Sequence, residues 1–469
     1  MTPHPEPTSR LLAEALSAAR YADLPAPAIV ESKRAVLDWL GSAIAGASER
    51  PARLVRRTVA ALGESSEATV FGGGRSSAAG AALANGTSSH MLELDDVHKG
   101  STLHGAAPVI SAALAVAERE HAGGERFLLA VVVGYDAALR IGEAVNPSHY
   151  RFWHPTGTAA TFGAAVAAGS LLRLSAAEML DALGSAGTQA SGLWEFNADG
   201  AMSKHLHPGK AAFNGILAAD LARAGFSGAT RILEGERGFF RATSPAHDPS
   251  RVSQSLGARW KIVENCYKLH ACCAHTHSAI DLALDLRAER GWSRRDVAAR
   301  VAAIEIATYG PGYEIVREPN PRSAYQAKFS IAYCVAVALT EGAVGLEQFS
   351  DGRFGAGGVV DAETAALLSR TSVTVDESLT AKYPSAWPAR ITIDFADGSR
   401  HVASAEFLRG NPENPVETAA LEEKLRALVS PRAGREVAER AIAATAAIEA
   451  TTDMADFLRG WLPHDTHSA

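Results

Sequence analysis

Between Glu93 and His104 the chain carries three carboxylates, Glu93, Asp95 and Asp96, two imidazoles, His98 and His104, and the cation Lys99; Asn85, Gly86 and His90 stand just ahead. In a water-poor setting, carboxylates this close cannot all ionise cheaply, so their pKa values separate and the histidines gain partners. That is raw material for general acid–base catalysis. The same run also fits a solvated, self-paired loop that caps the next helix, and it needs support from elsewhere in the chain.

Four further clusters give that support. Trp153-His154-Pro155-Thr156-Gly157-Thr158 precedes an Ala/Gly-rich stretch, as at a helix start with proline in the first position, where free N–H groups can receive a carboxylate. Ser203 to Lys210 holds Lys204, His205, His207 and Lys210 just before another helical stretch. A lysine beside a helix N-terminus suits a di- or tricarboxylate, and a solvent-facing basic turn is the plain alternative. Cys266 to His277 brings together Tyr267, Lys268, His270, Cys272, Cys273, His275 and His277. Tyr325 to Cys334 adds Lys328 and Tyr333 at the head of an apolar run, where core packing explains Phe329 and Ile331.

The cysteine-rich cluster has no Cys-x-x-Cys pair, and adjacent thiols cannot readily share one tetrahedral ion, so neither zinc nor an iron–sulfur cluster is expected. Cys272 and Cys273 read as small buried hydrophobes. Gly72-Gly73-Gly74-Arg75 lacks the spacing and the βαβ setting of a dinucleotide loop. No Gly-x-Ser-x-Gly elbow is present. The chain is read as needing no metal and no cofactor.

The elements that must position these clusters are mostly helical. From about Ser9 to Leu221, apolar residues recur at three- and four-residue spacing, with helical runs at 78–92, 104–121, 124–144, 156–172, 176–188 and 209–224. After about residue 267, β-branched alternation appears at Val301 to Thr308, Ser372 to Val375, and Arg390 to Phe395. The last is joined through Asp397-Gly398 to Arg400–Phe407, a hairpin signal. Helical periodicity returns at 416–429 and 432–447. The spacing predicts a mainly α protein: a helical domain of residues 1–266 and 409–469, formed by both chain ends, and a smaller inserted α+β lid domain of residues 267–408. The cleft between two such bodies is the expected place for a small-molecule site.

A chain of 469 residues is too long for one ordinary core of about 100–200 residues. Net charge is −7 and no dense Lys/Arg block occurs, which excludes nucleic acid and anionic membrane as expected partners. No apolar run approaches the roughly 20 residues of a spanning helix, and no secretory signal opens the chain. Four cysteines are too few for a disulfide framework, so a cytoplasmic setting with reduced thiols is the default.

Taken in order, the clusters resemble the MmgE/PrpD family of dehydratases, decarboxylases and epimerases of small carboxylic acids. The likeness runs through Ala84-Asn85-Gly86, Glu93-Leu94-Asp95-Asp96-Val97-His98 with Leu103-His104-Gly105, and Trp153-His154-Pro155-Thr156. It continues through Ser203-Lys204 with Leu206-His207-Pro208-Gly209, Tyr267-Lys268 with Cys272-Cys273, Lys328-Phe329-Ser330 with Tyr333, and the turn from Gly410 to Pro415. The resemblance implies a homodimer and an active site drawn from Glu93, Asp95, Asp96, Val97, His104, His154, Lys204, Lys268 and Tyr333. His98, His207 and His275 join Glu93 as substrate-binding candidates.

Two departures stand out: Glu93 replaces the aspartate of some relatives, and Val97 replaces a threonine found in the family's decarboxylases, removing a hydroxyl. The chemistry implied is proton transfer next to a carboxylate. His104 or His154 would be acid or base, with Lys204 and Lys268 on substrate carboxylates, Asp95 or Asp96 orienting a histidine, and Tyr333 a secondary donor. A dehydratase or decarboxylase is the first reading. An epimerase of an α-substituted succinate such as iminodisuccinate is the alternative, and a non-catalytic helical binding protein the remote one.

Overall fold

The computed structural model describes residues 7–462. It is 57% helical with only small sheets, a mainly α protein. The chain divides into two compact units, one comprising Met1–Met91, Asp95–Asn265 and Glu417–Ala469, the other Leu92–Leu94 and Cys266–Val416.

The first unit is built on helices α1 (Ala26–Gly46), α2 (Ala78–His90), α3 (Ala106–Arg119), α4 (Gly124–Val145), α5 (Ala159–Leu171), α6 (Ala176–Gly187) and α7 (Ser203–Arg223). In α5 every residue but Ser170 is buried, as fits a helix apolar all round at the centre of a core. Small residues let its neighbours come close. A Cβ on Gly163 of α5 would lie 2.6 Å from the Gly134 carbonyl of α4. Where α2 meets α7, a Cβ on Gly86 would lie 2.8 Å from Gly209 Cα. Only glycine permits such backbone contact, and this second crossing sets His90 of α2 against the first turns of α7.

Two boundaries differ from the sequence expectation. The helical run expected from residue 209 begins earlier and takes in the basic cluster, since α7 starts at Ser203 and carries Pro208 inside it. Proline costs a helix one amide donor, and early in α7 that removes one bond while the buried face from Lys204 to Ala222 still packs. Pro155 is not the first residue of α5 but stands four residues ahead of it, in a turn closed by Gly157 N–H to the His154 carbonyl at 2.8 Å.

The second unit holds a four-stranded sheet of β1 (Val301–Thr308), β2 (Thr371–Val375), β3 (Ala389–Phe395) and β4 (Arg400–Ala405) in the order β2-β1-β3-β4. β1 and β2 run parallel; the other pairs are antiparallel, with Ile304 opposite Ile393 and Ala389 opposite Ala405. Along β3, Ala389, Ile391 and Ile393 are buried while Arg390 and Thr392 are half-buried, the two-residue period of a strand with one covered face. Gly398, at φ +84°, turns the β3–β4 hairpin, as the Asp-Gly pair foretold. Helices α8 (His277–Arg290) and α9 (Ile331–Glu341) pack on each other in this unit. Helices α10 (Thr418–Ala433) and α11 (Arg435–Ala446) belong to the first unit. No described helix is long and apolar enough to cross a membrane.

Candidate active site

The segment from Glu93 to His104 is not a solvated loop. Glu93, Asp95, Asp96, His98, Ser101 and Thr102 are all buried. Glu93 (φ 57°) and Thr102 (φ 49°) adopt left-handed backbone, which for side chains of these types costs of order 1–3 kcal/mol and survives only where surroundings enforce it. Asp96 anchors the segment: its Oδ1 accepts the Ala106 N–H of α3 at 3.0 Å and its Oδ2 accepts the Tyr135 hydroxyl of α4 at 2.7 Å. Burial outweighs both bonds and pushes its carboxyl up to about 7.

His104 follows from this anchor. Its Nδ1 lies 2.6 Å from the Asp96 carbonyl, an obligate acceptor, so Nδ1 carries a proton and, in the neutral ring, Nε2 holds the lone pair. Its backbone N–H donates to Thr156 Oγ1 at 3.1 Å. Asp95 Oδ2 lies 3.4 Å from the same Nδ1, placed to offset charge on the ring when Nε2 takes a second proton.

Four more imidazoles of the first unit cluster with it. The His90 ring centroid is 4.8 Å from that of His104, 5.8 Å from His154 and 6.0 Å from His205. His90 Nδ1 donates to Asp95 Oδ2 at 2.6 Å. His154 and His207 meet Nδ1 to Nδ1 at 3.1 Å, so one supplies the proton and the other the lone pair. Burial first, and then mutual charge repulsion, holds His154 well below the usual imidazole range; burial and the Lys210 ammonium bring His207 down to about 3. Lys204, buried at the start of α7, adds to the repulsion felt by both.

The second unit places its own candidates. Lys268, fully buried, sits 3.7 Å from Glu93 Oε2, and Lys328 donates to the Leu92 carbonyl at 3.0 Å. His275 is bonded to the Tyr309 hydroxyl and packed on Trp387, with burial pushing it down to about 3. The Tyr333 hydroxyl donates to the Gln348 carbonyl at 2.5 Å, and burial pushes the phenol up. All four cysteines are free thiols; Cys272 is buried and Cys273 half-buried.

His98 faces a different set. Its Nδ1 is engaged by Ser101, and its Nε2 lies 3.4 Å from Glu264 and 3.7 Å from Glu143. The Lys261 ammonium bridges those two carboxylates at 2.9 and 3.2 Å. Burial alone would raise Glu264, but His98 and its cationic neighbours pull it down to about 2.

Among the described residues, two groups have donor atoms within 4.8 Å of one another, close enough to ligate an ion: His90, Asp95 and His104, and His98, Glu143 and Glu264. In the first, the Nδ1 atoms of His90 and His104 are already engaged by Asp95 and by the Asp96 carbonyl. In the second, the Lys261 ammonium supplies the positive charge. Both fit hydrogen-bonded clusters of imidazole and carboxylate.

Residues 10–252 match the MmgE/PrpD N-terminal domain and residues 270–450 the MmgE/PrpD C-terminal domain. The chain belongs to the MmgE/PrpD family. It is an enzyme of the MmgE/PrpD lyase type. Among its relatives, a "Cis-aconitate decarboxylase-like protein oryM" of Aspergillus oryzae is 27% identical over 93% of both chains. A cis-aconitate decarboxylase of Aspergillus terreus is 28% identical over 87% of this chain and 86% of its own, and the human cis-aconitate decarboxylase 28% over 86% and 83%.

Within this MmgE/PrpD chain, sequence reading gave no role to His90 or Tyr135, and Thr156 entered only as part of a motif. His90 had a signal, five residues ahead of Asp95 at the end of a helix. Tyr135 had none: it is one tyrosine inside an apolar helix, 39 residues from the Asp96 it binds.

Proposed function

We propose that this MmgE/PrpD enzyme is a metal-independent lyase acting on a small di- or tricarboxylic acid of the cis-aconitate class, with His104 as the proton carrier. The observation that supports this most is the fixed tautomer of His104: Nδ1–H on the Asp96 carbonyl, Nε2 left as the basic nitrogen, and the Asp95 carboxylate 3.4 Å away to offset an imidazolium. His154 and His207, both held neutral near pH 7, suit hydrogen-bonding to substrate better than storing a proton.

In decarboxylation, the C–C bond to the departing carboxylate breaks and carbon dioxide leaves. The electron pair remains on carbon, conjugated with a retained carboxylate, and the His104 imidazolium delivers its Nε2 proton to that carbon. In dehydration the neutral ring instead takes a proton next to a carboxylate, and hydroxide leaves with a proton from a second donor. Lys204 and Lys268 are assigned to the substrate's carboxylates, where ammonium charge offsets the developing anion. Tyr333, His98 and His275 are not given chemical roles, because their polar atoms serve Gln348, Ser101 with Glu143 and Glu264, and Tyr309 respectively. A homodimer, as the family resemblance implies, completes the reading and is checked by light scattering; a cytoplasmic setting, the default read from the cysteine content, is checked by cell fractionation.

The test is incubation in D2O with cis-aconitate, 2-methylcitrate and iminodisuccinate, followed by NMR. Loss of carbon dioxide or water with a new C=C signal supports a lyase. Deuterium exchange at the α-carbon without net loss makes the enzyme an epimerase and overturns the proposal, as does inertness towards all three.

A further inference from the structure

We propose that His90 is a positioning residue for His104, acting through Asp95. The inference rests on the reading of His104 as the proton carrier and extends it to a residue that the family likeness does not mark out.

A single oxygen carries the relationship. Asp95 Oδ2 receives His90 Nδ1–H at 2.6 Å and faces His104 Nδ1 at 3.4 Å, with the two rings edge to face at 70°. The short bond belongs to His90, so His90 fixes where the carboxylate points, and His104 experiences the result. His90 is fully buried, and its Nε2 finds no hydrogen-bond partner among the described residues. A leucine would fill that space without a bare buried nitrogen, so packing gives no reason for histidine here. The bond to Asp95 supplies that reason. The ring's backbone is also held firmly, at the end of α2 behind the Gly86–Gly209 contact.

His90 is assigned to positioning rather than proton carriage because access differs: its side chain has no exposure, whereas that of His104 retains 12%. With the Asp95 side chain fixed, uptake of a proton at His104 Nε2 places the imidazolium next to a stationary carboxyl group. Without His90, a fully buried Asp95 loses its short donor and with it the orientation that keeps its Oδ2 beside His104. Among the ionisable groups around His104, Asp95, His90 and His154 face its ring, while Asp96 meets it through its backbone carbonyl.

Two variants separate the roles of the two ring nitrogens. In His90→Asn the amide nitrogen stands in for Nδ1 and keeps a donor on Asp95, while Nε2 is gone; His90→Leu removes both. The first readout needs no substrate: imidazole nitrogen NMR of the 15N-histidine-labelled full chain, with folding of each variant checked by circular dichroism. His104 is expected to titrate about one unit lower in His90→Leu, a tenfold change in proton affinity, and to return towards wild type in His90→Asn. The second readout is turnover on whichever carboxylate the wild type consumes. His90→Leu should lose at least tenfold in kcat with KM changed less than about twofold, the acid limb of its pH profile should move with the His104 titration, and His90→Asn should recover most of the loss. An asparagine variant as impaired as the leucine one would assign the role to Nε2 and overturn the proposal. So would a His104 titration that ignores both substitutions. If the wild type consumes no carboxylate, the proposed function fails while the NMR measurement still decides the link between His90 and His104.

Discussion

The Tyr135 hydroxyl donates to Asp96 Oδ2 at 2.7 Å, yet burial still raises the Asp96 carboxyl to about 7. A carboxyl raised in the folded state favours folding below its unfolded pKa of about 4, and that contribution is lost as pH rises through the folded value. The buried histidines act in the opposite direction: with depressed folded pKa values, they cost stability as pH falls below about 6.5. The difference between wild type and Asp96→Asn isolates the carboxyl. Asparagine should gain Tm relative to wild type steadily from pH 4 to pH 7; a difference independent of pH would show that Asp96 does not titrate in that window.

His104→Gln keeps a polar side chain but cannot carry a proton. Turnover on the substrate identified by NMR should fall by roughly 10² or more, with KM changed far less. Retention of the wild-type rate would remove His104 from the chemistry.

Lys204→Met preserves length and loses the ammonium. If Lys204 holds a substrate carboxylate, the lost charge-assisted bond of about 1.5–3 kcal/mol should appear as a 10- to 100-fold fall in kcat/KM. An unchanged value would return Lys204 to a structural role.

Gly86→Ala places a methyl 2.8 Å from Gly209 Cα and 3.1 Å from Gly209 N, where backbone, not a pliable side chain, must move. A loss of about 1–3 kcal/mol in urea unfolding is expected, with kcat reduced because His90 on α2 and Lys204 on α7 shift together. A neutral effect on both would mean that the crossing is looser than its geometry implies.

Arg140→Leu tests the buried ion pair of α4. Arg140 and Asp136 pair at 2.6 Å with neither side chain exposed, and the guanidinium also serves the carbonyls of Gln254 and Arg259 at 2.6 and 2.7 Å. Removing the cation leaves Asp136 uncompensated and should cost about 3–5 kcal/mol, measured by denaturant titration. A loss below about 1 kcal/mol would refute that accounting.

The sequence by itself determined what local patterning controls. Helices followed from apolar spacing and alanine content, the β3–β4 hairpin from alternation around Asp397-Gly398, and the chemical character of the 93–104 run from the residue types within it. Tertiary structure alone decided which of those groups meet. Nothing local says that Asp95 serves His90 and His104 together, that Tyr135 reaches Asp96 across 39 residues, or that His98 turns instead to Glu143 and Glu264. The helical run expected from residue 209 starts six residues earlier, because the buried face of α7 carries the helix through Pro208. Periodicity reports which face of an element is apolar; partner choice and proton affinity depend on burial and on distances between elements far apart in the chain, which only packing sets.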